Sequence, residues 1–488
     1  MKTIYFVFGF FLLSTFLAAT IINVPGDQPT IQEGINVAVD ADTVLVQPGT
    51  YVENINYNGK NVIVASLFLT MQDSAFIDNT IIEPFDVDYT VSFENFETDA
   101  AKLIGFSVNG GLANIICNNS SPTLNHLKLS DGPRGIMLIS SDAKIKNCLI
   151  NGHTNSEDGA GIYCTENSNS IITNCLFEDN VILDETWNVG GGIYCEDSEM
   201  TLINTIISFC SGYIGGGIYS SNSEIILINS VITENWSDLF CGGIYCEDNT
   251  NLIIVNSILY SDHLYEIFFS STLGVNEASV AYSLLENEEY GVCINNNGTL
   301  NWLTGNIGSQ PSFINPNIAI RDFHLQDTSP CIGAGIDEIE INGTLYYAPL
   351  FDIEGNPRPN PVGSMPDMGA YENPYGEPQI GIDDDLFSFN NFELNNYSNP
   401  FNPETTISFS VTQSAVSGSD GSSFVTLDIY NIKGQKVKQL VSDQLSAGEH
   451  SIIWDGRDTN GNRVGSGIYF YKLKVGKFEK VRKMLLLK

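Results

Sequence analysis

From about residue 100 to residue 285 the apolar positions fall in short runs rich in Ile, Leu and Val, each bounded by Gly, Asn, Ser or Asp. Runs of that length with turn residues between them predict strands, and the stretch lacks the helix-length apolar periodicity that a helical solenoid would need. The pattern also repeats. The strings AGIYC, GGIYC, GGIYS and GGIYC place Tyr163, Tyr194, Tyr219 and Tyr245 at separations of 31, 25 and 26 residues. A second mark runs in step, with Asn147, Asn174, Asn204, Asn229 and Asn256 separated by 27, 30, 25 and 27. Repeats near 25 residues built from short strands predict a β-solenoid, each coil stacked on the one before.

The two marks locate the variable part of the coil. From Tyr to the following Asn the spacing is 11, 10, 10 and 11, whereas from Asn to the next Tyr it is 20, 15 and 16. A constant segment is what stacking requires, because a slip of one residue would turn core side chains outward. Length variation is therefore confined to one corner, from which loops emerge. Trp187, Tyr213 and Trp236 all lie in those loops and are candidate ligand-binding residues, since aromatic rings on one edge can stack on sugar faces. The five asparagines are read as a structural ladder, each amide hydrogen-bonding the next at a tight bend.

The slot two past the repeat Cys reads Glu166, Asp197, Asn222 and Asp248. Three carboxylates in one column face water or bind calcium, which makes Glu166, Asp197 and Asp248 the calcium candidates; no other cofactor is expected. His153 in NGHTN has no motif around it and is read as a loop residue. Cys164, Cys195 and Cys246 share a slot with Ser220, and Cys148 and Cys175 share another with Thr205, Ser230 and Ser257, so these are read as small buried thiols rather than bridges. Cys241 and Cys246 have no nearby His or second pair to suggest zinc.

Charge narrows the function classes. The chain carries 21 Lys plus Arg against 58 Asp plus Glu, a net charge of −37. A polyanion of this kind repels nucleic acid and anionic lipid. No Lys or Arg occurs between residues 147 and 320, so the repeats lack the base and the cationic partners that β-elimination on an anionic uronate would use. Hydrolysis by paired carboxylates stays open. At the start, Lys2, an apolar run from Ile4 to Leu17 and then Ala18, Ala19 and Thr20 have the order of a secretory signal. No later stretch is long and apolar enough for an integral span.

These residues carry resemblances. The repeats resemble right-handed parallel β-helix proteins of the pectin-lyase-like class, and the GGGI strings with Phe177-Glu178-Asp179-Asn180 are partly similar to polymorphic outer membrane protein repeats. The FxxN mark reappears as Ile232-Thr233-Glu234-Asn235, while Cys210 and Asp262 take the Asn slot in other coils. Residues 29–55, PTIQEGINVAVDADTVLVQPGTYVENI, resemble the N-terminal cap and first coil of such proteins. Thr30 and Glu33 have capping-box spacing there, and Ile31, Ile35, Ala38 and Val39 form an apolar stripe on a short helix. Residues 322–372, with DFHLQDTSPCIGAG, DIEGNPR and DMGAYE, resemble the module that closes the other end. Asp352, Arg358, Asp367 and Glu372 in it are read as turn caps and one ion pair. Residues 399–488, with NPFNPETTISFSV, VTLDIYNIKGQKVKQL, AGEHSIIWDGRDTNGNRVGSGIYFYKLKVG and KMLLLK, fit a small immunoglobulin-like sandwich around Trp454. They resemble the type A sorting domain of type IX secretion.

The resulting expectation is an all-β chain: a signal peptide (1–20), a right-handed parallel β-helix with closing module (21–372), a linker (373–390) and a sorting domain (391–488). The resemblances imply export to the outer cell surface, with the secretion machinery as partner. The expected activity is noncatalytic adhesion or binding of extracellular polysaccharide or surface glycan. The alternative is a secreted polysaccharide lyase or glycoside hydrolase with its site on the less regular coils 60–146 or 260–330.

Overall fold

The computed structural model describes residues 19–183, 188–270, 274–295, 298–377, 394–397, 401–411, 422–431, 435–446, 448–475 and 478–486. Residues 1–18 of the expected signal peptide and most of the expected linker lie outside them. The chain divides into two units, 1–380 and 381–488.

The first unit is a parallel β-solenoid of about ten turns. Three parallel sheets run along its axis. Sheet 1 has 10 strands from Ile55–Asn56 to Val292–Cys293, sheet 2 has 12 from Ile21–Val24 to Gly298–Trp302, and sheet 3 has 10 from Gly49–Val52 to Leu284–Leu285. One coil shows the plan. Ile193–Glu196 belongs to sheet 1, Glu199–Ile203 to sheet 2 and Ile206–Ser208 to sheet 3. Register follows the repeats: Tyr163 pairs with Tyr194, Tyr194 with Tyr219, and Tyr219 with Tyr245. Alternate residues of each strand point inward, so Ile207, Ile232 and Leu259 join the central core while their neighbours Ile206, Val231 and Ile258 face outward.

Both recurrent polar columns mark a backbone requirement. Asn147, Asn174, Asn204, Asn229 and Asn256 turn the chain from sheet 2 to sheet 3 with φ between 48° and 55°. Glu166, Asp197, Asn222 and Asp248 turn it from sheet 1 to sheet 2 with φ between 44° and 59°. Left-handed backbone is several-fold enriched in Asn and Asp because their short side chains bond locally. At the first bend the amides also join coils: Asn147 donates to Asn125 (2.9 Å), Asn174 to Asn147 (3.1 Å), Asn204 to Asn174 (3.0 Å) and Asn256 to Asn229 (3.2 Å).

The run is interrupted between Asn204 and Asn229, where no hydrogen bond joins the two side chains. Arg358 donates to Asn204 Oδ1 (2.7 Å), and Asn229 donates instead to the Asp367 and Gly369 carbonyls. The module expected to close the far end therefore lies along the side of the solenoid. Phe313, Phe323, Leu325, Cys331, Ile332, Met368 and Ala370 cover the outward Ile206, Val231, Ile258 and Leu284 of four successive coils. Its anchor is a fully buried ion pair, Arg358 Nε to Glu372 Oε2 at 2.8 Å. Asp352 accepts from the Glu354, Asn356 and Glu372 amides, and Asp367 from those of Gly333 and Asn373.

At the N-terminal end the helix Ile31–Val37 buries Ile31 and Ile35 on the open core. Thr30 accepts from the Glu33 amide (3.1 Å), and the Glu53 carboxylate, 20 positions beyond Glu33, accepts from the Ile31 and Gln32 amides (2.9 Å each). The helix is shorter than the expected stripe. Ala38 is its C-cap and Val39 is exposed.

The second unit packs a three-stranded antiparallel sheet (Leu394–Tyr397, Thr405–Val411, Gly448–Trp454) and a four-stranded one (Ser422–Asn431, Lys436–Ser446, Gly467–Val475, Phe478–Leu486) around buried Trp454. The indole N–H donates to the Arg457 carbonyl at 3.0 Å.

Arg358→Met leaves the Glu372 carboxylate buried without its partner, so unfolding should cost about 3–5 kcal/mol less, read as a lower thermal midpoint. All ten cysteines are free and nine are buried, so titration of the unfolded, unreduced chain should count ten thiols.

Candidate functional site

The variable corner, where sheet 3 returns to sheet 1, holds a short fourth sheet: Thr154–Asn155, Val181–Ile182, Ser211–Gly212 and Trp236–Ser237. The residue preceding each strand points inward, which stacks His153, Asn180, Cys210 and Asn235 in one slot, with Asp262 above them. Each rung accepts from the backbone N–H of the coil below: His153 N–H donates to Asn180 (3.3 Å), Cys210 to Asn235 (3.0 Å) and Asn235 to Asp262 (2.8 Å). The FxxN mark is thus a second, internal ladder. His153 is its base: it lies in the connection between Leu149–Asn151 and Thr154–Asn155, as expected of a loop residue, but is fully buried, with its ring nitrogens 3.2 Å from the Gly132 and Leu129 carbonyls. Burial pushes its imidazole down to about 4.

At the top of the slot an amide gives way to an acid. Asp262 Oδ1 accepts from both the backbone and the side chain of Asn235, and the Asp262 N–H lies 3.3 Å from Glu266 Oε1. Both carboxyls are buried, with Asp262 8% and Glu266 2% exposed. Neither Asp262 Oδ2 nor Glu266 Oε2 meets a donor elsewhere in the protein. Burial raises both groups, Asp262 to about 7, and the charge of the neighbouring Asp262 raises Glu266 further. Two carboxyls in contact cannot both ionise without cost, so they hold one proton between them.

This pair lines a cavity of about 610 Å³ with Tyr265, Glu286 and Tyr290. The walls are open to solvent, Tyr290 being 89% and Tyr265 37% exposed. Beside it Trp236, 52% exposed, stacks on His263 with centroids 3.6 Å apart, and His263 Nδ1 sits 2.7 Å from the Ser237 carbonyl. Aromatic walls over a carboxyl floor can hold a sugar by ring stacking and by hydrogen bonds from its hydroxyls.

Of the aromatic residues expected in a row at this corner, Trp236 and Tyr213 do not stand in register. Trp187 lies outside the described residues. Trp236 pairs in register with Ser211, two residues before Tyr213, and Tyr213 is half-buried against Val189, Ile214 and Tyr219. Unequal loops are the reason, since the three rings sit 13, 9 and 7 residues past their ladder Asn. The repeat tyrosines form a continuous stack instead, Tyr163, Tyr194, Tyr219, Tyr245 and Phe268, with centroids 5.0 to 5.6 Å apart. Their faces are used on one another, which leaves none for a ligand.

Glu166 and Asp197 line a groove of about 930 Å³ together with Asn222 and the Glu199 and Glu224 strand positions, whereas at the next coil Asn249 and not Asp248 lines it. Asn222 donates to Asp197 at 2.6 Å. Among the described residues no three His, Cys, Asp or Glu side chains converge as a metal site, so the calcium candidates share a column without forming a cage. The acid pair had only a partial signal in the sequence. Asp262 stood out as a departure from the Asn slot, while nothing marked Glu266 as its partner.

The fold is a parallel β-helix followed by an Ig-like domain. Residues 403–477 match the FlgD Ig-like domain. A solved structure of pectate lyase Pel9A is similar at 13% identity, covering 73% of this chain and 97% of that one with a TM-score of 0.45. Two Porphyromonas gingivalis structures also match. PorZ, a bacterial surface component of the type-IX secretion system, does so at 21% identity over 20% of this chain and 11% of its own, with a TM-score of 0.15. Dimeric latent PorU does so at 18% identity over 20% of this chain and 9% of its own, with a TM-score of 0.17. This chain thus spans about a tenth of those two proteins. No curated protein matches.

The ladder ends carry opposite pH dependence. Asp262 holds its proton in the folded state up to about 7 against 3.8 ordinarily, so its stabilising contribution is present at low pH and is lost as pH rises across that window. His153 stays neutral down to about 4 against 6.5, so its contribution is present above 6.5 and is lost as pH falls toward 4. Thermal unfolding against pH should show both limbs. Asp262→Asn should flatten the first and His153→Asn the second, each placing in the slot the residue that Asn180 and Asn235 already supply.

Proposed function

We propose that this protein is an exported cell-surface β-helix that binds extracellular glycan without transforming it. The observation that carries the reading is the cavity at the variable corner, where exposed Tyr265 and Tyr290 stand over buried acids with Trp236 on the adjoining coil. Neutral or cationic sugars suit it, because a net charge of −37 opposes an anionic chain. Hydrolysis is disfavoured by geometry. Glycosidase carboxyls stand roughly 5 Å or more apart with substrate or water between them, whereas Asp262 and Glu266 are both buried, with the Asp262 backbone N–H 3.3 Å from Glu266 Oε1. Export rests on the signal-like start and on the resemblance of residues 399–488 to a type IX sorting domain, whose partner would be that secretion machinery.

A glycan array with the purified chain, run with and without calcium, tests the reading. Tyr290→Ala and Trp236→Ala should each weaken binding by about tenfold, the loss of roughly 1.4 kcal/mol that one stacked ring supplies. Tyr163→Ala, at the base of the self-stacked column, should leave binding unchanged. Binding indifferent to both cavity-side variants removes the proposed site, and turnover of any polysaccharide in the panel replaces the binding role with an enzymatic one.

A further inference from the structure

The acid pair presents a chemical demand that the protein does not meet. Asp262 Oδ2 and Glu266 Oε2 have no donor in the protein although both side chains are more than nine-tenths buried. The surroundings add negative charge, Glu234 acting on Asp262 and Glu286 on Glu266, while the nearby Cys241 and Tyr260 are raised above their ordinary values and stay protonated. Glu286 is spent on the Ser261 N–H at 3.0 Å, and the neighbouring His263 on the Ser237 carbonyl and Trp236. No Lys or Arg occurs from residue 147 to 320, and Arg321 is held by Glu178 and Asp179. With its shared proton gone, the pair can be neutralised only by a cation from the cavity.

The cavity also states what kind of cation. A bare metal ion wants a converging set of oxygens, and no three such side chains converge among the described residues. The open sides are instead two tyrosine rings, surfaces that suit a cation with an organic body. We infer that the cavity takes the protonated amine of an amino sugar, the ammonium group displacing the proton between Asp262 and Glu266 and the sugar ring lying against Tyr265 and Tyr290. This rests on the glycan-binding reading above and narrows it to sugars with a free amine. The ammonium supplies three donors to oxygens that lack them, and the displaced proton leaves to solvent. N-Acetylation removes the charge and replaces those donors by one amide N–H and a bulky carbonyl.

Isothermal titration of the whole chain with glucosamine oligomers, with N-acetylglucosamine oligomers and with calcium chloride alone tests the inference at about pH 7 and about pH 5.5. At the higher pH the free-amine oligomer should bind at least about tenfold more tightly than the acetylated one, and should weaken on acidification as the proton competes for the pair. Asp262→Asn keeps a residue that the slot accepts in two other coils, so it should fold, checked by its circular dichroism, and should lose the preference for the amine. Equal affinity for both oligomers, or a preference unchanged in Asp262→Asn, overturns the amine assignment and leaves glycan binding standing. Calcium that binds in a manner abolished by Asp262→Asn, with no amine preference, replaces the amine by a metal. Absence of binding by either oligomer or any glycan on the array overturns both readings.

Discussion

Register between successive coils is the constraint on which the rest of this structure depends. In a parallel stack each strand takes its hydrogen bonds from the coils above and below, so equivalent residues lie one strand spacing apart and any mismatch is repeated along the axis. The chain holds that register at its bends. Left-handed residues turn it at fixed points, Asn between sheets 2 and 3 and Asp, Glu or Asn between sheets 1 and 2. Small side chains then bind neighbouring coils: the Thr205 amide donates to Ser230, the Ser230 amide to Ser257 and the Ser257 amide to Ser283. Cys148 and Cys175 belong to the same column, with the Cys148 amide 3.5 Å from the Cys175 sulfur. A thiol there does the work of a serine hydroxyl, and burial raises the Cys175 thiol well above its ordinary value, which keeps it protonated.

A ladder of identical amides could continue indefinitely, and something must end it. Here the closing module interrupts it between Asn204 and Asn229 by taking over individual rungs, and Asn256 resumes it on Asn229. Arg358 occupies Asn204, the Asp367 and Gly369 carbonyls occupy Asn229, and the Ile336 carbonyl and amide occupy Asn256. The outward Ile206, Val231, Ile258 and Leu284 would otherwise leave an apolar stripe on the surface, and the module's own apolar residues bury it. One segment therefore satisfies polar groups at the bend and covers apolar surface beside it. That double role explains why its only fully buried charge pair, among the described residues, sits where the two tasks meet.

The internal ladder shows how a solenoid acquires a site without altering its backbone. Asn180 and Asn235 are neutral and self-satisfying, since an amide both donates and accepts. Exchanging the amide for a carboxyl at Asp262 keeps the acceptor for the coil below and removes the donor. Glu266, one turn of the loop later, then confronts it as a second acceptor. The deficit is created by one atom type in an otherwise conserved geometry, at the corner where loops are free to vary and where aromatic side chains can reach solvent.

The repeat pattern alone determined the architecture, because a solenoid is built from short-range periodicity: Tyr and Asn spacing defined the coil, its constant segment and its variable corner. Strand turns were legible for the same reason, as each demands a residue type that the sequence displays directly. Tertiary structure decided what depends on loops of unequal length or on segments far apart in the chain. Trp236 and Tyr213 fall out of register, His153 enters the core, Glu53 caps a helix two bends away, and Arg358 breaks the amide run 154 residues from Asn204. The pairing of Asp262 with Glu266 is of that second kind. Four residues in an irregular loop carry no period, so only the folded path could bring the two carboxyls face to face.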